Sequence, residues 1–242
     1  MKLFLTSAGI GPEITGEFLK LLGKNSKDSK LIFIPTAADP ETDEWFVEFV
    51  KKDKERLAEF GFDIQVVDLK NQNQISLETI FKNADVIYIE GGNTFYLLDW
   101  VRKSGFDVAV KKFLGRGGVY VGVSAGSMIA RINIESANWE PADRNIAGLN
   151  DLSAMNLVDF VVIPHYCPEF AEAVGASASK ADYAAVALTD QQAVLVDSDK
   201  IEIIGPGEKT IFNSNKFLVN NLLRIFKANK DKHYRSLQGL GP

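Results

Sequence analysis

Short apolar runs along this chain alternate with longer stretches in which apolar residues return at helical spacing, the pattern of parallel strands joined by helices. Strands are predicted at Lys2–Thr6, Lys30–Pro35, Asp63–Val67, Asp85–Glu90, Gly118–Val123, Phe160–Ile163, Ala193–Val196 and Ile201–Ile204. Pro12–Leu22 and Glu44–Phe60 carry helical periodicity, the second through Phe46, Phe49, Val50, Leu57 and Phe60, and Phe95–Arg102 continues it after the fourth strand. The turn-rich Asp197–Lys200 between the last two strands predicts an antiparallel hairpin at a sheet edge. A closing helix is predicted over Lys216–Asn229, striped by Phe217, Leu218, Leu222, Ile225 and Phe226. With no repeat, low-complexity linker or abrupt compositional shift, the pattern predicts one α/β domain over residues 1–242. Its sheet is expected to be mostly parallel, with helices on both faces and the C-terminal β-hairpin at one edge.

Charge and composition narrow the partners. A net charge of -5 with no basic stripe argues against nucleic acid. No run approaches membrane-spanning length, and the apolar start Met1–Gly9 is too brief for a signal sequence. The single cysteine, Cys167, excludes an internal disulfide and fits a reducing compartment, so a cytoplasmic protein with no membrane partner is expected. The apolar stripe of the closing helix serves a core or a homodimer interface equally well.

Candidate chemistry centres on Gly122-Val-Ser-Ala-Gly126, which follows an apolar strand and leads into a helical start. This is the pattern of a nucleophile elbow, in which the serine hydroxyl projects above the sheet and flanking glycines remove colliding side chains. Ser124 is therefore the candidate nucleophile, against the alternative of a buried serine in an ordinary strand-turn-helix connection. A serine needs a base, and the chain has two histidines. His233 lies in a polar C-terminal run, whereas His165 follows a predicted strand and is expected on the same rim as the elbow. A second glycine turn, Glu90-Gly-Gly-Asn-Thr94, follows the fourth strand. Gly91 and Gly92 are candidates to bring backbone N–H groups to a substrate oxyanion, with the Ala125 N–H as the other donor. Asn93 either caps the following helix or touches substrate, the cap being preferred. No metal-binding or nucleotide-binding pattern occurs, so neither metal nor cofactor is expected. Cys167, two residues from His165, reads as a packed or loop residue.

The Glu90–Thr94 turn, the Gly122–Ser127 elbow and Ile163-Pro-His-Tyr166, in this order and at these separations, resemble the peptidase E family. The likeness extends from the first strand to about Gly205. It implies a class I glutamine amidotransferase-like fold and a serine peptidase that acts on small peptides, Asp-Xaa dipeptides among them, through an acyl-enzyme. By the same analogy the acid that orients His165 is Asp190, with Glu135 as the rival. The family's arginine-bearing segment after the histidine is not matched in Ala171–Ala181, which leaves Arg131 or Lys180 as substitutes for binding a substrate carboxylate. Two other classes stay open: an amidase or esterase using the same elbow, and a non-catalytic small-molecule-binding protein of the same fold.

Overall fold

A computed structural model describes residues 1–216. The elements run β1 (Lys2–Thr6), α1 (Pro12–Leu22), β2 (Lys30–Ile34), α2 (Glu44–Glu59), β3 (Asp63–Val66), α3 (Gln74–Phe81), β4 (Val86–Ile89), α4 (Thr94–Ser104), α5 (Phe106–Gly115) and β5 (Val119–Val123). There follow the short α6 (Ala125–Met128), β6 (Val161–Ile163), α7 (Ala171–Lys180), β7 (Ala185–Ala187), β8 (Ala193–Asp197), β9 (Lys200–Ile204) and β10 (Thr210–Phe212). The main sheet has the order β3-β2-β4-β5-β1-β8-β9. Its first five strands are mutually parallel, while β8 and β9 run antiparallel and form the expected edge hairpin.

Both faces of this sheet are buried, which is why β4 and β5 read as continuous apolar runs. Period-two alternation still sorts the side chains. Leu3 and Leu5 of β1 pack with Leu77, Phe81, Phe95 and Phe106 from α3, α4 and α5. Phe4, between them, packs on the opposite face with Ile14 and Phe18 of α1 and Leu57 of α2. The helix boundaries have local causes: Pro12 opens α1, Gly23 closes it at φ 75°, and the Asn93 side chain caps α4.

Two features depart from the sequence expectation. The strand before His165 belongs to a separate three-stranded sheet, β10-β7-β6, rather than to the main sheet. Its partners Ala185–Ala187 and Thr210–Phe212 are only three residues long, too short for a periodicity signal. Phe46 and Phe49, part of the apolar stripe of α2, line a surface cavity, and Leu57 supplies the buried contact. The predicted helix Lys216–Asn229 and His233 extend beyond the described residues.

Candidate active site

Parallel strands end on a common rim, and the ends of the neighbours β4, β5 and β1 deliver three groups there: the Gly91-Gly92 turn, Ser124 and Ser7. Because β8 is antiparallel to β1, with Ala193 opposite Thr6, the start of β8 lies on this rim as well, and Asp190 just precedes it. The small sheet brings in His165. Leu188 N–H donates to Ile163 O over 2.9 Å and Tyr166 N–H donates to Leu188 O over 2.9 Å, so the segment after β7 holds the segment after β6.

Ser124 adopts φ 47° and ψ -107°, a conformation that costs a non-glycine residue about 1–3 kcal/mol and persists only where its surroundings enforce it. The elbow is braced accordingly. The Ser127 hydroxyl lies 2.8 Å from Thr6 O and 2.7 Å from Gly122 O, Ser124 N–H donates to Thr6 O at 3.1 Å, and Tyr120 OH donates to Gly126 O at 2.6 Å. A side chain at Gly122 would put Cβ 2.5 Å from the Gly126 carbonyl, and one at Gly126 would meet Ile89 O at 2.6 Å. Only glycine fits at either position.

The polar groups form a chain. Ser124 Oγ lies 3.0 Å from His165 Nε2, and His165 Nδ1 lies 2.7 Å from Asp190 Oδ1. A carboxylate can only accept, so Nδ1 carries the proton and Nε2 is left to accept from the serine hydroxyl. The hydrogen bond from His165 leads in holding the Asp190 carboxyl below its ordinary value; burial opposes this, and the positive charge that His165 carries when protonated and the Ser7 hydroxyl add to it. His165 itself has φ 55°, and its backbone N–H donates to Ser7 Oγ over 2.7 Å. Ser7, fully buried, was missed by sequence reasoning; its position directly after β1 was the available signal.

The glycine turn lies against the elbow. A Cβ on Gly91 would come within 3.2 Å of Ser124 Cβ, and one on Gly92, at φ 135°, would overlap Ala37 O at 2.1 Å. The N–H groups of Gly92 and Ala125 have no hydrogen-bond acceptor among the described residues. Asn93 acts as the helix cap: Oδ1 accepts from Tyr96 N–H at 2.9 Å and Nδ2 donates to Arg144 O at 2.9 Å, so its side chain is spent on structure. Below the turn, Glu90 is wholly buried, accepts from Gly91 N–H at 3.1 Å and faces the buried Asp53. Burial first, and the charge of Asp53 second, push the Glu90 carboxyl well above its ordinary range, which favours its neutral form; burial raises Asp53 as well. Asp53 in turn accepts from Tyr88 OH and pairs with Arg56 at 3.1 Å.

The other sequence candidates lie elsewhere. Glu135 and Lys180 line a separate cavity with Trp139 and Tyr183, and Arg131 is buried with its guanidinium 3.4 Å from the Tyr183 ring centroid. Neither cation reaches the Ser124 cavity, which corrects the expectation that one of them receives a substrate carboxylate there. The Cys167 thiol is raised above its ordinary value, chiefly by its hydrogen bond with Glu169, which keeps it protonated and a poor nucleophile.

An α/β sheet with a serine elbow facing a histidine on one rim is the architecture of a hydrolase, and the comparisons with known proteins specify a serine-type peptidase. The model of peptidase family S51 matches residues 3–204, and the chain belongs to that family. It is 34% identical over 166 residues, 68% of its length, to an uncharacterized peptidase of Listeria monocytogenes, of which the match covers 77%. It is 30% identical to a peptidase E of a Nostoc species over 68% of this chain and 64% of that one. The crystal structure of a candidate peptidase E protein from Listeria monocytogenes EGD-e superposes with a TM-score of 0.72 at 26% identity, covering 85% of this chain and 98% of the other. Among the described residues no helix is long and apolar enough to cross a membrane.

Proposed function

We propose that this chain hydrolyses small peptides through an acyl-enzyme on Ser124, with His165 as general base and Asp190 as the acid that orients it. The observation that carries this reading is the Ser124–His165–Asp190 hydrogen-bond chain beside two unengaged N–H groups. As Ser124 Oγ bonds to the peptide carbonyl carbon, its proton passes to His165 Nε2. The Gly92 and Ala125 amides stabilise the oxygen that becomes negative. His165 then gives the proton to the departing amine as the C–N bond breaks, and water activated by the same imidazole releases the acyl group. The scheme consumes water alone. Asp190 is favoured over Glu135 because it meets the imidazole, whereas Glu135 lines another cavity.

Intact-mass detection of a fluorophosphonate adduct tests the chemistry without assuming a substrate. One adduct on the parent, absent from Ser124→Ala and slowed in His165→Ala, is expected. Failure to label together with failure to cleave any peptide overturns the reading and favours a binding protein. A single domain over 1–242, the class I glutamine amidotransferase-like label, cytoplasmic residence, no nucleic-acid partner and a homodimer complete the proposal. The last is checked by light scattering.

A further inference from the structure

The cavity over Ser124 has a lining that the hydrogen-bond chain does not use. It encloses about 450 Å³, and one wall is aromatic: Trp45, Phe46 and Phe49 from the first turns of α2. Trp45 and Phe46 meet edge to face at 5.5 Å, and Phe46 and Phe49 lie 6.3 Å apart. Trp45 is 69% exposed, a large apolar surface held open at the mouth of the site. Besides Asp190, the same cavity is lined by two further carboxylates, Glu41 and Asp143. A second cavity of about 220 Å³ shares Ser124, His165 and Asp143 with the first and adds Glu140. No lysine or arginine of the described residues lines either one. Burial, then the charge of Asp143, raises the Glu41 carboxyl, with Arg144 opposing and Asp43 adding; Arg144 itself lines neither cavity. Asp143 gives one oxygen to the Thr94 N–H at 2.9 Å, which anchors it at the start of α4.

We infer that the site takes peptides with a free α-ammonium group, paired by Glu41 and Asp143, and with an apolar or aromatic N-terminal side chain seated on Trp45, Phe46 and Phe49. This rests on the serine peptidase reading and adds the substrate class to it. A negative, partly desolvated cavity attracts a cation and repels a substrate carboxylate, so an N-terminal aspartyl side chain is disfavoured. The aromatic wall rewards a ring or branched chain through apolar burial and adds cation–π attraction for the ammonium.

The test compares kcat/KM for the p-nitroanilides of phenylalanine, aspartic acid and N-acetylphenylalanine, with the fluorophosphonate adduct measured in parallel. The phenylalanine compound is expected to exceed the aspartyl one by about a hundredfold, and acetylation to cost about tenfold, since like-charge contacts and lost ion pairs at such sites are worth factors of this size. Glu41→Gln is expected to narrow the gap between the free and acetylated compounds. An adduct on Ser124 with the aspartyl compound cleaved as fast or faster overturns the substrate class and leaves the serine reading standing. An adduct without cleavage of the phenylalanine compound does the same. Neither adduct nor cleavage overturns both.

Discussion

The Ser7 hydroxyl donates to Asp190 Oδ1 over 2.8 Å, to the same oxygen that meets His165 Nδ1. Since Ser7 Oγ also accepts from His165 N–H at 2.7 Å, one small side chain at the end of β1 ties together two partners of the proposed triad that come from different segments. Ser7→Ala removes both links and leaves a backbone N–H unsatisfied, a loss of about 1–3 kcal/mol. Denaturant unfolding should show that loss. Peptidase assays should show kcat reduced more than KM is raised, because Ser7, although it lines the cavity, has its hydroxyl taken up by Asp190 and the His165 N–H.

Asp190→Asn should leave the fold intact and lower kcat by about four orders of magnitude, the size of effect seen when the orienting acid can no longer fix the histidine tautomer. Glu135→Gln, in the other cavity, should leave kcat unchanged. A reversal of these two results would transfer the acid role to Glu135.

Two glycine substitutions near the elbow should separate stability from catalysis. Gly126→Ala drives Cβ to 2.6 Å from the Ile89 carbonyl, where backbone must move, and should cost about 1–3 kcal/mol by thermal unfolding. Gly91→Ala meets Ser124 Cβ at 3.2 Å, which a small shift of the serine relieves. The fold should survive, while activity falls by about ten- to a hundredfold through misplacement of the hydroxyl.

Glu90 and Asp190 should act on stability with opposite pH dependence. Glu90 keeps its proton in the folded state at pH values where the unfolded chain, near the ordinary 4.5, has lost it. The folded state then binds more protons, so stability falls as pH rises from the unfolded value towards the folded one. Glu90→Gln, which mimics the neutral acid, should flatten the decline in Tm as pH rises above the unfolded value. Asp190 is shifted the other way, so its contribution is present above the unfolded value of 3.8 and is lost as pH falls through the folded one. Tm measured against pH for the parent and the two variants Glu90→Gln and Asp190→Asn checks both signs.

The order of apolar runs sufficed for the main sheet's strands and for helices on both faces, because a strand buried on two sides and an amphipathic helix each leave a local periodic signature. The elbow was equally legible, since Gly122 and Gly126 are required by contacts within a few residues or with the adjacent strand. What depended on tertiary structure was everything set by crossing between distant segments. The small sheet that carries His165, the contact of Asp190 with its imidazole, and the bridging role of Ser7 arise from pairings between residues 23 to 183 positions apart. The raised Glu90 carboxyl and a cavity lined by carboxylates, without a lysine or arginine of the described residues, belong to the same class, because burial and charge balance are properties of the folded surroundings that no stretch of sequence contains.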